Sequence, residues 1–156
     1  MKATVYVWPR KDQNVGHAAM KIGSTYISFW PADGIGKPQA KKGLKMKLSH
    51  AGTSVTSYRV DCDAEGGRQP IAIEINNFDA ESALAYWQQI RRDGVRYQLR
   101  KKNCSSIVAE CIHAGTNRKP SFQPKAEEYG RFGSVFGYGI WTPAQVLRYA
   151  TEVNKA

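Results

Sequence analysis

Residues 102–112 read Lys-Asn-Cys-Ser-Ser-Ile-Val-Ala-Glu-Cys-Ile, and this stretch predicts a helix with a thiol in its first turn. Asn103 is a favourable N-cap residue, and the apolar residues after it recur every three or four positions, which gives the helix one apolar stripe. The unpaired N–H groups and the dipole of a helix start stabilise an anion, so Cys104 is expected to favour the nucleophilic thiolate. Lys101 and Lys102 add positive charge beside it. The alternative is that Cys104 is a small buried core residue.

The length of 156 residues and the hydrophobic share of 42% predict one globular domain that spans residues 1–156. No apolar run approaches the roughly 20 residues of a membrane span, and the N-terminus lacks the pattern of a signal peptide. The sequence therefore predicts a soluble protein made in the cytoplasm. The cysteines Cys62, Cys104 and Cys111 are odd in number and have no metal-ligand spacing, which indicates neither a disulfide framework nor a zinc site.

The formal net charge is +10, from 23 Lys and Arg against 13 Asp and Glu. This balance favours anionic partners. The sequence has no basic recognition helix, aromatic RNA-binding signature or zinc-finger spacing, so no specific nucleic-acid partner is predicted. Anionic lipid and bacterial cell wall remain as the predicted partner classes.

Three β-strands are predicted within the first thirty residues. Residues 3–8, 15–22 and 25–30 are rich in β-branched, apolar and aromatic residues, and the two-residue link Gly23-Ser24 makes the last two a hairpin. If Ile22 pairs with Thr25, one side of the ribbon carries the facing pairs Lys21–Tyr26, Ala19–Ser28 and His17–Trp30.

The rest of the chain predicts two more strands and three helices. Residues 53–62 and 70–75 alternate or cluster like strands. Helix start signals stand at Asp79, Asn103 and Thr142-Pro143, each followed by apolar residues at helical spacing. The predicted fold is α+β, an antiparallel sheet with helices packed on it.

Residues 31–52 predict a long surface loop with the most basic run of the chain. Such a run is a solvated, charged surface in one interpretation and a segment that attracts anionic substrate in the other. In the second interpretation, neutralising the lysines of the run should lower kcat/KM at low salt for a polymeric or membrane substrate but not for a small neutral ester. These lysines are Lys37, Lys41, Lys42, Lys45 and Lys47.

A nucleophilic thiol needs a base, and imidazole is the usual one because its pKa lies near neutrality. His113 lies nine residues after Cys104, roughly 13 Å along the same helix, and cannot fold back onto it. His50 lies in the basic loop. His17 lies within a predicted strand, where its ring can be held rigidly, although a hydrogen-bonded structural histidine is the alternative.

Two short motifs together resemble the permuted NlpC-like cysteine hydrolases, a group that includes the lecithin:retinol acyltransferase-like enzymes. The first is Val-Gly-His-Ala-Ala-Met-Lys-Ile-Gly at residues 15–23, followed by Tyr-Ile-Ser-Phe-Trp at 26–30. The second is Tyr-Gln-Leu-Arg-Lys-Lys-Asn-Cys-Ser-Ser-Ile-Val at 97–108. The resemblance implies a circularly permuted papain-like fold, with Cys104 as nucleophile and His17 as general base.

The third catalytic residue differs from the acyltransferase branch, which has a second histidine on the following strand. Ser28 is the nearest polar equivalent here, and Glu74 and Asp33 are the candidate carboxylates from elsewhere in the chain. A serine hydroxyl supplies no negative charge and stabilises imidazolium less than a carboxylate does. The predicted substrate contacts are Trp30, Tyr26, Asn103 and Lys42.

The resemblance implies a thiol hydrolase that cleaves an amide, with bacterial cell-wall peptide as the first candidate substrate. It requires no cofactor or metal. A basic catalytic domain without a signal sequence would suit a monomeric toxin delivered by a dedicated machine, such as a type VI secretion system, and opposed by an immunity protein. The alternatives are a phospholipid acyltransferase or thiol phospholipase at anionic membranes, and a basic non-enzymatic binding module.

Overall fold

The computed structural model describes residues 1–11, 16–31, 52–53, 57–98, 102–126 and 139–155. Within these ranges a four-stranded antiparallel sheet has the order β3-β2-β1-β6, and a separate two-stranded ladder joins β4 to β5. The strands are β1 (Ala3–Trp8), β2 (His17–Ile22), β3 (Thr25–Ile27), β4 (Trp30–Pro31), β5 (Gly52–Thr53) and β6 (Ile71–Ile75). The helices are α1 (Tyr58–Ala64), α2 (Ala80–Asp93), α3 (Cys104–Thr116) and α4 (Pro143–Lys155). The predicted α+β class with an antiparallel sheet is confirmed.

The hairpin of β2 and β3 has the predicted register. Ile22 pairs with Thr25, and Lys21 pairs with Tyr26. The ladder ends at the pair of Met20 and Ile27, so the predicted strand 25–30 is shorter than expected. The chain leaves the sheet after Ile27 and forms the ladder of β4 and β5 instead.

The strand predicted over residues 53–62 is wrong for most of its described length. Only Gly52–Thr53 form a strand, and Tyr58–Ala64 form helix α1. Ser57 caps this helix, since its side chain accepts a hydrogen bond from the backbone N–H of Val60. Asp61 in the first turn complements the helix dipole. Capping and packing therefore outweigh the β-propensity of the sequence here.

The helix starts predicted at Asp79, Asn103 and Thr142-Pro143 are confirmed. The Asp79 carboxylate accepts from the N–H of Ser82 at the start of α2, and Gly94 is the C-cap after its last residue, Asp93. The Thr142 hydroxyl accepts from the N–H of Gln145 at the start of α4. None of the described helices is long and apolar enough to cross a membrane.

The two faces of the sheet contact different helices. One face, with Val5 and Met20, belongs to the hydrophobic core that also contains residues of α2, α3 and α4. On the other face Tyr6 and Trp8 contact Tyr58 of α1, with ring centroids 5.0 and 6.2 Å apart. Helix α1, which the sequence did not predict, therefore covers the face of the sheet that bears His17.

Candidate active site

Cys104 is the first residue of α3, as predicted, and its position is fixed by a reciprocal capping box. The Asn103 side chain accepts from the N–H of Ser106 at 2.8 Å, and the Ser106 hydroxyl accepts from the N–H of Asn103 at 2.9 Å. Two of the orphan N–H groups at the helix start are thereby satisfied. Cys104 is 5% exposed. The thiol thus lies at the positive end of a well-capped helix.

His17 is the first residue of β2 and is completely buried. The ring of Trp30 stacks on its imidazole with a centroid distance of 4.5 Å, and the ring of Trp8 lies at 5.7 Å. Two bulky aromatic neighbours leave the imidazole little freedom to rotate. The prediction that the strand holds this ring rigidly agrees with its surroundings.

Asp61 of α1 is the carboxylate beside His17. Its Oδ2 lies 3.2 Å from Nε2 of His17 and accepts hydrogen bonds from the hydroxyls of Ser28 at 2.7 Å and Tyr26 at 2.5 Å. Its Oδ1 accepts from the indole N–H of Trp30 at 2.8 Å. Both carboxylate oxygens are thus satisfied in a site that is inaccessible to water.

These hydrogen bonds determine which nitrogen of His17 carries the proton. The Ser28 hydroxyl donates its hydrogen to Asp61, so in its 2.8 Å contact with His17 the Nε2 must be the donor. The carboxylate beside it can only accept. Nε2 is therefore protonated, and Nδ1 is the basic nitrogen of the neutral ring.

Asp61 stays ionised in this site. Burial by itself disfavours the carboxylate, but the charge interaction with His17 and the hydrogen bonds from His17, Tyr26 and Ser28 outweigh it and lower the pKa of Asp61 to about 2. Burial, together with the charge of Asp61 and the hydrogen bond to it, raises the pKa of Tyr26 above its ordinary value. Tyr26 is therefore a permanent donor, and Asp61 can stabilise a charged imidazolium.

Cys104 and His17 lie at the same end of the molecule, beside the start of α4. The Asn103 side chain donates to the carbonyl of Trp141 at 3.0 Å. A Cβ on Gly16, the residue before His17, would lie 3.1 Å from the Pro143 ring. The segment 141–143 thus borders both the residue before the thiol and the residue before the imidazole, and α3 packs against β2.

The structure places the other predicted site residues as follows. Ser28 contacts His17, but the carboxylate that completes the group is Asp61, which the sequence did not single out. Glu74 pairs with Lys2 on the surface, away from His17. Tyr26 and Trp30, predicted to contact substrate, hydrogen-bond to Asp61. Asp33, His50 and the five loop lysines, including Lys42, lie outside the described residues.

His113 and Cys111 lie away from this group, whereas Cys62 follows Asp61 on α1 and its charge acts on the Tyr26 hydroxyl. His113 is exposed, and its Nδ1 contacts the carbonyl of Arg118. Cys111 is fully buried, and burial, with the charge of Glu110 as a smaller cause, raises the pKa of its thiol. Cys62 is half-buried on α1. Among the described residues no group of three or more His, Cys, Asp or Glu side chains could hold a metal ion.

A signal for Asp61 was present in the sequence. Ser57 is a favourable N-cap residue, and an acidic residue in the turn that follows is typical of a helix start. Read as a helix, residues 57–65 put Asp61 and Glu65 one turn apart on one face. The apolar residues of the segment also alternate with polar ones, and this alternation predicts a strand instead of a helix.

Comparisons with known proteins indicate where such a domain occurs. The family model of the IcsB middle domain matches residues 63–156, more than half of the chain. The match contains Cys104 and begins after Asp61.

Two similar relatives are multifunctional-autoprocessing repeats-in-toxin proteins, one from Vibrio vulnificus and one from Vibrio cholerae serotype O1 (strain ATCC 39315 / El Tor Inaba N16961). Each is 30% identical over 88 residues, which is 54% of this chain but only 2% of the relative. No solved structure matches the chain. In its sequence relationships the chain is a bacterial effector- or toxin-like domain.

Proposed function

The chain belongs to the IcsB middle domain family, and we propose that it is a cysteine enzyme in which Cys104, His17 and Asp61 act as a catalytic triad. The observation that carries this proposal is the fully buried pair of His17 and Asp61. Burying the Asp61 carboxylate costs several kcal/mol of desolvation, and apolar residues of similar volume would stabilise the core at least as well. Buried titratable groups beside a thiol at a helix start are typical of catalytic sites.

The proposed reaction proceeds through a thioester. Nδ1 of His17 takes the proton of Cys104, and the thiolate attacks the carbonyl carbon of the substrate. When the tetrahedral intermediate collapses, the bond to the leaving group breaks and the imidazolium returns its proton to that group. Backbone N–H groups at the start of α3, including that of Cys104, would stabilise the oxyanion. Asp61 stabilises the imidazolium and holds its tautomer.

The second half of the reaction decides between a hydrolase and an acyltransferase. Water attacks the thioester in the first case, and a hydroxyl or amine of an acceptor molecule attacks it in the second, with His17 taking the proton in both. Cys104 is 5% exposed and His17 is not exposed at all. Because such burial limits the access of both molecules, the outcome depends on which of them reaches the thioester.

We propose a substrate class and a fold relationship from the sequence, the net charge and the toxin relatives. Cell-wall peptide is the amide substrate that the sequence predicts, and acyl chains of an anionic membrane are the lipid alternative, which the net charge of +10 supports. The order of His17 before Cys104 supports a circularly permuted papain-like fold. The similarity to toxins supports delivery into a target cell and opposition by an inhibitor protein.

The test is detection of the acyl-enzyme by intact-protein mass spectrometry after rapid acid quench. Peptidoglycan fragments, anionic phospholipid vesicles and a long-chain acyl thioester serve as three separate donors. We expect one donor to add its acyl mass to the wild-type protein and to the variants Cys62→Ala and Cys111→Ala. The variants Cys104→Ala and His17→Ala should carry no adduct. An adduct that persists in Cys104→Ala would overturn the proposal, and so would a Cys104 that reacts with iodoacetamide no faster than a free thiol.

A further inference from the structure

The two tryptophans that enclose the His17 ring are each held by a hydrogen bond from the indole N–H. Trp30 donates to Asp61 at 2.8 Å. Trp8 donates to the backbone carbonyl of Arg68 at 2.9 Å. The first contact belongs to the proposed triad, whereas the second involves a residue with no role in it.

Arg68 is fixed by three contacts of its own side chain. Its Nε donates to the carbonyl of Glu65 at 3.0 Å, and its Nη2 donates to the carbonyl of Pro9 at 3.0 Å. Nη2 also lies 3.4 Å from Oε2 of Glu65. Arg68 thus ties the end of α1 to the end of β1, where Trp8 is located.

The buried carboxylate of Glu65 makes the position of the Arg68 guanidinium important for stability. Glu65 is completely buried, and among the described residues its Oε1 has no hydrogen-bond partner. A buried carboxylate that is only partly satisfied is unfavourable unless a cation stays close. Arg68 supplies that cation, since its Nη2 lies 3.4 Å from Oε2 of Glu65. The charge of Glu65 therefore helps to hold the Arg68 side chain in place.

We propose that Arg68 is a positioning residue for the reaction, because it fixes the Trp8 ring against His17 and so keeps the imidazole in the orientation that points Nε2 at Asp61. Trp8 and His17 are also cross-strand partners with ring centroids 5.7 Å apart, so a displaced indole acts directly on the imidazole beside it. The consequence for catalysis rests on the proposed function. The consequence for the His17 ring does not.

Two substitutions test the contact from both sides. Arg68→Met keeps the aliphatic stem and removes all three side-chain contacts. Trp8→Phe keeps one aromatic ring and removes the indole N–H together with the second ring. The matched controls are Lys2→Met, which breaks the surface ion pair with Glu74, and Trp87→Phe, which makes the same ring change in the core away from His17. Arg68→Lys, with a cation but no fork of donors, is the conservative variant.

The first readout is the tautomer of His17, measured by two-bond 1H–15N NMR on protein labelled with 15N-histidine. Wild type should show a single Nε2–H form over the neutral pH range. In Arg68→Met and Trp8→Phe the ring should show both tautomers or exchange broadening, while His113 stays unchanged as an internal reference. Unchanged His17 signals in folded Arg68→Met or Trp8→Phe protein would overturn the proposal.

The second readout is the pH profile of Cys104 alkylation by iodoacetamide. Arg68→Met and Trp8→Phe should react roughly tenfold more slowly at neutral pH, a ratio that corresponds to the loss of one hydrogen bond of ordinary strength. Arg68→Lys should recover part of the rate, and both controls should match wild type. If Arg68→Met fails to fold, Trp8→Phe decides. A slow wild-type thiol would count against the proposed function alone, because the NMR result still tests Arg68.

Discussion

Asp61→Asn is the substitution whose effects the structure defines most closely. Oδ2 of Asp61 receives Ser28, Tyr26 and His17, and Oδ1 receives Trp30. An asparagine has one accepting oxygen and one donating NH2 in the same space. Whichever way the amide is turned, the NH2 faces at least one donor, so at least one buried hydrogen bond is lost at a cost of about 1 to 3 kcal/mol.

The charge of Asp61 adds a dependence on pH. The pKa falls from 3.8, the ordinary value, to about 2 in the folded protein. A difference of this size corresponds to roughly 2 kcal/mol of folding free energy. Because the folded pKa is the lower one, this stabilisation is present above pH 4 and is lost as pH falls from about 4 to about 2.

The free energy of unfolding should therefore be about 3 to 5 kcal/mol lower for Asp61→Asn than for wild type at pH 7, and the difference should shrink toward pH 2. Urea denaturation followed by tryptophan fluorescence at several pH values measures it. Other carboxylates titrate in the same range, but they are common to both proteins and cancel in the difference. Asp63→Asn is the matched control, since Asp63 lies exposed on the same helix.

The same substitution should abolish the chemistry. An asparagine NH2 that faces Nε2 favours the tautomer with the proton on Nδ1, which cannot accept the proton of the thiol. We expect acyl-enzyme formation to fall by a factor on the order of 10³ to 10⁴. A free-energy difference that stays constant from pH 7 to pH 2, or an Asp61→Asn enzyme as active as Asp63→Asn, would refute this account of Asp61.

Three further outcomes follow from residues around the site. Asn103→Ala removes the N-cap of α3, so the midpoint of thermal unfolding should fall by an amount that corresponds to about 1 to 2 kcal/mol; Asn103→Asp keeps the cap acceptor but loses the donation to the Trp141 carbonyl, so it should also be less stable than wild type. Gly115→Ala places a Cβ 2.1 Å from Cζ of Phe78, so it should destabilise by about 1 to 3 kcal/mol despite the better helix propensity of alanine; a stability equal to wild type in calorimetry would contradict this packing. The double variant of Cys62 and Cys111 to serine should keep one fast-reacting thiol in mass spectrometric alkylation, and loss of that thiol in folded protein would contradict its assignment to Cys104.

Much of the fold was predictable because its signals are local. The apolar alternation of Ala3–Trp8, the Gly-led turn after Ile22 and the caps at Asp79 and Asn103 each act within a few residues. Residues 58–64 form a helix although their apolar alternation is typical of a strand. The cap at Ser57 and the contact of Tyr58 with the sheet stabilise a helix there instead.

The sequence by itself determined the nucleophile candidate and its imidazole partner. A capped helix start acts on Cys104 through neighbouring N–H groups, and a hairpin register places His17 on a defined side of its strand. The carboxylate was decided only by the tertiary structure. Asp61 lies 44 residues from His17 in the sequence, and its position beside the imidazole depends on the packing of α1 over the sheet. There Tyr26, Ser28 and Trp30 all donate hydrogen bonds to its carboxylate. No local pattern encodes such a convergence, because each hydrogen bond forms only after water has been excluded from the space between the helix and the sheet.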